Sequence, residues 1–299
     1  MSSFPTKILL ATDGSQDAAL AALAAIDLTH RARTELHVVH VWQDVRPATL
    51  PTAAMNEYLR AFERWEQEAG ELLEEQADRL RSAGVTVAGA HLKKGRPADE
   101  IVALAEELDA GLAVMGSRGL GTVKRLVVGS VSEGVVGLAP CPVLVVRGAW
   151  PPSRVVVGDD SSEEAGRACA LATNIGKLFS ASVFLVRAHP VFGKYTLARE
   201  ADEHVSRDIA RRTEEALEQR ADHLRSVLGE RPWVRVVAGD AATAIQEIAE
   251  EGGEPTLVAV GRRGLGAVRH FALGSVSSDI LRAVSGPVLI VPSLREEPQ

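Results

Sequence analysis

The chain has 299 residues, 46% of them apolar and 24% charged, which excludes disorder over most of its length and leaves room for two domains of about 150 residues each. Its formal net charge of −7 argues against a general nucleic-acid binder, whose affinity comes from neutralising phosphates. Two cysteines, Cys141 and Cys169, are too few for a disulfide framework and lack metal-ligand spacing. No apolar run approaches the ~20 residues of a membrane span, and the opening residues lack a charged segment before an apolar core, so a cytoplasmic protein without a membrane partner is expected.

Lys7-Ile8-Leu9-Leu10-Ala11-Thr12 is an apolar run that ends in the polar turn Asp13-Gly14-Ser15-Gln16. A buried strand and an alanine- and leucine-rich helix to about residue 30 follow from that pattern. Asp13 with Gln16 three residues on has the spacing of a capping box. A second strand runs from Glu35 to Trp42, with Val39 and Val41 on one face. A loop holding Pro47 and Pro51 leads to a long charged amphipathic helix over residues 53–82, stopped by Gly84. A third strand is predicted over residues 85–92, a helix opened by Gly95-Arg96-Pro97 runs to residue 108, and a fourth strand covers residues 112–115. Gly116-Ser117-Arg118-Gly119 follows, closed ten residues later by Gly129-Ser130, and then a short helix and the strand of Cys141-Pro142-Val143-Leu144-Val145-Val146. Strands alternating with helices at this spacing predict an α/β fold, a parallel sheet wrapped on both faces.

The second half repeats the first. Arg154-Val155-Val156-Val157-Gly158-Asp159-Asp160 matches the opening strand and turn and places Asp160 where Asp13 stood. Ala188 falls at the position of Val41, Gly239 at that of Gly95 and Ile245 at that of Ile101. Gly261-Arg262-Arg263-Gly264 is followed at the same distance by Gly274-Ser275, and Gly286-Pro287-Val288-Leu289-Ile290-Val291 repeats the last strand. The repeat is a whole domain. It predicts domains over residues 1–148 and 153–295, joined at Pro151-Pro152.

Each copy of the glycine pattern links a buried strand to a helix start, a place built for an anion. Glycines let the backbone approach a ligand closely, and the turn and helix start together present free N–H groups and a positive dipole end. Ser130 and Ser275 are expected at the N-cap, to cap the helix or to meet phosphate. Taken alone, such a pattern is as well read as a tight turn; two copies with identical spacing favour a ligand. A Walker A loop is absent, since Thr122-Val123 stands where Lys-Ser/Thr is required, and so is the dinucleotide fingerprint, because the glycine turn does not follow the first strand.

At this point the chain resembles a tandem member of the universal stress protein family over both halves. The motif that carries the likeness is glycine, two residues, glycine, nine residues, glycine, then serine or threonine. It is present as Gly116, Gly119, Gly129-Ser130 and as Gly261, Gly264, Gly274-Ser275. The resemblance implies two Rossmann-like domains, each a five-stranded parallel sheet with helices on both faces, packed as an internal pseudo-dimer through their last strands, with homodimerisation of the whole chain left open. It implies an ATP site per domain, a Mg²⁺ ion held mainly by the phosphates, and a regulatory role toward a protein partner in stress response. Asp13 and Asp160 then touch adenosine, and the main chain around Val41 and Ala188 flanks adenine. Gly116 and Gly261 meet ribose and phosphates. Gly119, Gly129, Ser130 and Ser132 surround the phosphates in one half, and Gly264, Gly274, Ser275 and Ser277 do so in the other. The strand ends Ala11 and Gly158, the helix residues Val131 and Val276, and the loop residues Ser117, Arg118, Leu120, Gly121, Arg125, Arg262, Arg263, Leu265 and Gly266 complete the two candidate sites.

The halves differ where ligand is expected. Ser161 stands where the first half has Gly14, so a different turn is expected there, and Asp159 adds a charge whose direction the sequence leaves open. Arg262 and Arg263 replace Ser117 and Arg118. Two sites of unequal affinity follow. Asp13 and Asp160 have a second reading as helix caps, and Asp159-Asp160 as a metal pair, though no further ligand is spaced with them. His37 and His40 point to opposite faces of their strand and do not form a metal pair. Cys141 reads as core packing. No base or activated nucleophile is legible, so slow ATP hydrolysis and a scaffold with vestigial sites remain alternatives to a nucleotide-binding regulator.

Overall fold

The uninterrupted apolar runs become the central strands, since a parallel strand covered on both faces needs apolar side chains on both. The computed structural model describes residues 4–43, 55–119, 128–189, 199–262 and 273–293. It divides into two compact units, residues 5–147 and the chain from residue 148 onward.

In the first unit β1 (Lys7–Ala11), β4 (Leu112–Gly116) and β5 (Val143–Val146) are almost wholly buried. β2 (Glu35–Trp42) and β3 (Val87–Lys94) are more exposed. The strands are parallel in the order β3-β2-β1-β4-β5. Strand order reverses between β1 and β4, and right-handed crossovers therefore put α1 (Gln16–Ala32) and α2 (Met55–Ser82) on one face and α3 (Pro97–Glu107) and α4 (Ser130–Leu138) on the other. Ala18, Ala21, Ala25 and Leu28, at spacings of three and four, form the buried stripe of α1.

The second unit repeats this plan: β6 (Arg154–Gly158), α5 (Glu163–Phe179), β7 (Ser182–His189), α6 (Arg199–Leu228), β8 (Trp233–Ala238), α7 (Ala241–Glu250), β9 (Thr256–Gly261), α8 (Ser275–Ala283) and β10 (Val288–Val291). Its parallel order is β10-β9-β6-β7-β8. The α/β architecture with five parallel strands per half is as the sequence predicts.

The third strand begins two residues later than its apolar pattern suggests. Val85 donates its N–H to Leu80 O, closing the end of α2 around Gly84 at φ +83°, so it is unavailable to the sheet. The strand instead runs on to Lys94, and Gly95 N–H continues the pairing by donating to Trp42 O.

The turn after β6 does not differ from that after β1, contrary to expectation. Ser161 takes φ +69°, close to the +76° of Gly14. Two hydrogen bonds hold it there: Ser161 N–H donates to Asp159 Oδ1 at 2.7 Å and Ser162 N–H to Asp160 Oδ1 at 2.9 Å. A serine in the left-handed region costs about 1–2 kcal/mol. Ser161→Gly removes that cost and adds back some unfolded-state entropy, so a gain of about 0.5–1 kcal/mol in a urea titration is the expected result.

Candidate nucleotide site

The two candidate sites are built from the same three junctions. The first is the turn after the opening strand. Asp13 Oδ1 accepts the N–H of Ser15 at 3.0 Å, and Gly14 N–H donates to Thr12 Oγ1 at 3.3 Å. The cap of α1 is Ser15, whose Oγ accepts Ala18 N–H at 3.2 Å. Ser162 caps α5 in the same way, through Ala165 N–H at 3.1 Å. Neither aspartate is therefore the helix cap, and the proposed Asp13–Gln16 capping box is not formed. Aspartate two residues before a serine makes an Asx turn and leaves the capping to the serine. With Oδ1 in the turn, Oδ2 of Asp13 lies against Gly119, in the space a Cβ there would fill.

The second junction is the end of β4. A Cβ on Gly116 would lie 2.6 Å from the carbonyl carbon of Asp17 and 2.8 Å from Ala18 N, so the glycine is required for the strand to meet the first turn of α1. Ser117 Oγ donates to Asp17 Oδ2 at 2.7 Å, and the Arg118 guanidinium grips both oxygens of that carboxylate at 3.1 and 3.2 Å. Burial by itself raises the Asp17 pKa, but the hydrogen bonds from Arg118 and Ser117 and the Arg118 charge outweigh it and hold the carboxyl below 3.8. Arg147 lies close by, drawn down to about 10 by burial, with Asp17 opposing and Arg118 adding to the shift. Asp17 is the residue that sequence reasoning missed. It reads as one more acid at a helix start, and its partners lie a hundred positions away.

The third junction is the start of α4. Gly129 N–H donates to Ser117 O at 2.8 Å, and the buried Ser132 hydroxyl donates to Gly116 O at 2.9 Å. The cap position is Gly129, with no side-chain capping bond, and Ser130 is the first helical residue rather than the N-cap. A glycine cap in extended geometry supplies no acceptor. The N–H groups of the first turn, at Ser130, Val131 and Ser132, lie beyond reach of helical acceptors.

These junctions border a cavity of about 570 Å³ at the carboxyl ends of β1 and β4, a volume within the range of small-ligand sites. Ala11, Val39, Val41, Ile101, Met115 and Val128 give it an apolar wall, and Asp13, Arg118, Gly119 and the residues from Gly129 to Glu133 give it a polar side. Val39 and Val41 share the wall as their strand parity predicts. Of the sequence-predicted residues, Ala11, Asp13, Val41, Gly116, Arg118, Gly119, Gly129, Ser130, Val131 and Ser132 line the cavity; Ser117 does not, its hydroxyl being held by Asp17. Leu120, Gly121 and Arg125 lie outside the described residues.

The second half reproduces the latch with its own residues. Ser277 Oγ donates to Gly261 O at 2.6 Å and to Arg262 O at 3.1 Å, and Gly274 N–H donates to Arg262 O at 2.9 Å. Gly274 is the cap of α8 and Ser275 its first residue, again one position on from the expected N-cap; Val276 follows in that turn, and Ala188 lies in β7. At the strand end Gly158 replaces Ala11, and Ile245 Cδ1 lies 2.6 Å from where a Gly158 Cβ would stand, filling the space of the missing methyl. Arg263, Gly264, Leu265 and Gly266 lie outside the described residues.

Asp159 is no metal ligand. Its fully buried carboxylate meets Arg187 Nη2 and Arg220 Nε, each at 2.5 Å. The contact to Arg220 is an ion pair outside the alignment of a hydrogen bond. Arg187 Nε also donates to Asp159 O at 2.9 Å, as His40 Nδ1 meets Thr12 O at 2.8 Å in the first half. The extra charge is thus neutralised on the α5–α6 face. Among the described residues no group of three or more His, Cys, Asp or Glu is placed to hold a metal. No helix among them is long and apolar enough to cross a membrane. Both cysteines are buried, and burial raises the Cys141 thiol to about 11 and the Cys169 thiol to about 12, so neither is an activated nucleophile.

Residues 5–147 and 152–292 each match the profile of the universal stress protein family. A universal stress protein of Thermus aquaticus is 42% identical over 141 residues, which span 47% of this chain and 97% of that protein. One of Bacillus subtilis (strain 168) is 34% identical over 149 residues, 47% of this chain and 98% of its own length. Among solved structures, that of a universal stress protein from Archaeoglobus fulgidus DSM 4304 superposes with a TM-score of 0.67 at 22% identity, covering 98% of this chain and 99% of the other.

Proposed function

The chain belongs to the universal stress protein family, and from that premise we propose that each half binds one adenine nucleotide, ATP in the first instance, as the signal of a regulatory protein. The observation that carries this reading is the pairing of opposite chemistries across one cavity. The valine-lined wall and the Asp13 carboxylate suit a nucleoside, since the carboxylate accepts from ribose or base and the apolar wall takes a flat ring. The first-turn N–H groups of α4, left without a side-chain cap, suit its phosphates. The described residues hold no cluster of metal-binding side chains, so a bound Mg²⁺ would take its ligands from the phosphates and water. The two halves differ at the strand end, where Ala11 in one is Gly158 in the other with Ile245 against it, and this favours unequal affinities. The nucleotide state would then set the conformation read by a protein partner.

The test begins with mass spectrometry of protein purified without added nucleotide, followed by calorimetric titration of stripped protein with ATP, ADP, AMP and NAD. About two equivalents of adenine nucleotide are expected. Asp13→Ala removes a charge-assisted hydrogen bond of about 1.5–3 kcal/mol, so the first site should weaken by roughly ten- to a hundredfold while the second is unchanged. No binding to stripped protein leaves the scaffold reading instead. Steady conversion of bound ATP to ADP makes the chain a hydrolase.

A further inference from the structure

His37 and His91 form an imidazole pair beneath the site, with Nδ1 of His37 and Nε2 of His91 3.1 Å apart. Three local features bring the rings together. Leu36 pairs with Val87 but His37 with Gly89, so Ala88 is an extra residue that steps the register at this point. Gly89 leaves the space open: a Cβ there would lie 2.6 Å from His91 Nε2 and 2.8 Å from His37 Nδ1. Both histidines also fall on the sheet face covered by α3, the face on which Lys93 Nζ meets Glu107 Oε2 at 3.3 Å.

The ring centroids are 5.4 Å apart, a distance that the nitrogen separation and two ring radii account for. The nitrogens therefore meet along the line between the rings, as in an N–H···N bond. Two nitrogens converging on a metal would bring the centroids closer at the same separation.

We propose that His37 and His91 share a single proton between them and thereby make the docking of α3 on β2 and β3 sensitive to pH below about 6.5, in the first half alone. The charged groups facing the pair are Lys7 on β1, Glu35 on β2, Lys93 on β3 and Glu107 on α3. Glu35 Oε2 lies 3.9 Å from His37 Nε2, but burial is the largest effect on both rings. It lowers the His37 pKa from 6.5, opposed by Glu35 and assisted by Lys7. It lowers that of His91 too, assisted by His37 and Lys93 and opposed by Glu107. The unfolded chain then takes up protons at a higher pH than the folded one. Stability is complete above 6.5 and falls as the pH drops below it. The helix end is within reach of the change: Lys7 Nζ donates to Leu108 O at 2.9 Å just beyond α3. In the second half Phe184 holds the position of His37 and stacks on Trp233, which holds that of Gly89, at 6.2 Å between centroids and 17°. That pair has nothing to titrate.

Hydrogen-exchange mass spectrometry of the full chain from pH 7.5 to 5.5, corrected for intrinsic rates, reads both halves at once. Opening of α3 and β3 is expected to increase, by at most about tenfold per imidazole at one unit below the unfolded pKa, while α7 and β8 stay level. His37→Phe and His91→Gln should each flatten the response. A response of equal size in both halves, or one that survives both substitutions, overturns the proposal, as does a response that EDTA removes, because that assigns the pair to a metal. Imidazole NMR of the unaltered protein gives a second reading independent of the variants' folding. Coupled titration below 6.5 is expected, and two independent titrations at the free-histidine value overturn the inference.

Discussion

Asp159→Ala is expected to destabilise the second half by about 3–5 kcal/mol, the cost of leaving buried charge without its partner. The carboxylate is fully buried and holds two guanidiniums, Arg187 and Arg220, while its Oδ1 also accepts the strained Ser161 N–H. Truncation leaves the two cations facing each other behind β6 and β7 with no anion between them. The first half solves the same position without a carboxylate or a guanidinium, since Thr12, His40 and Gln76 occupy the places of Asp159, Arg187 and Arg220. The triple replacement Asp159→Thr, Arg187→His and Arg220→Gln should therefore recover most of the loss. Guanidinium titration followed by tryptophan emission distinguishes the outcomes, because Trp42 and Trp65 lie in the first half and Trp150 and Trp233 in the second. A single replacement costing under about 1 kcal/mol would mean that the triad contributes no more than an exposed ion pair.

Gly116→Ala should cost about 3 kcal/mol, at the upper end of overpacking effects. The atoms its Cβ meets, the carbonyl carbon of Asp17 and the nitrogen of Ala18, belong to the backbone of α1 and cannot rotate aside. Displacing α1 also strains the Asp17 bonds to Ser117 and Arg118. Gly119→Ala makes the informative contrast. Its Cβ meets only the flexible end of Asp13, so denaturation midpoints should hardly move while nucleotide binding falls. Equal losses of stability from the two alanines would show that the loop is part of the fold's support and not a surface kept open for a ligand.

Much of this was legible in the chain because burial on both faces forces uninterrupted apolar runs, as at Leu112-Ala113-Val114-Met115, and because a strand–glycine–helix junction has few alternatives. That Val39 and Val41 share one face followed from strand parity; that this face borders the cavity needed the packing of α3 over it. What escaped was decided by short-range geometry or by distant partners. Asp13 and Ser15 are both good helix caps, and only the turn between them assigns the role to serine. Ser161 was expected to change its turn, but two aspartate-assisted bonds hold it in glycine's conformation. The direction of the Asp159 charge was left open by the sequence, since its cations sit on β7 and α6, far along the chain. The histidine pair needed a bulge at Ala88, which moves register by one residue and leaves no trace in an alternation pattern.

The hydrogen bonds from Gly129 to Ser117 and from Gly274 to Arg262 have a consequence for how such a protein diversifies. In each half the chain leaves a strand and re-enters a helix at two points fastened to each other, with a buried serine as a second fastening. Loop-closure entropy grows slowly with length, and here the ends are joined by contacts that involve nothing between them. Insertions, deletions and wholesale changes of sequence between the fastenings therefore leave these joining contacts themselves in place.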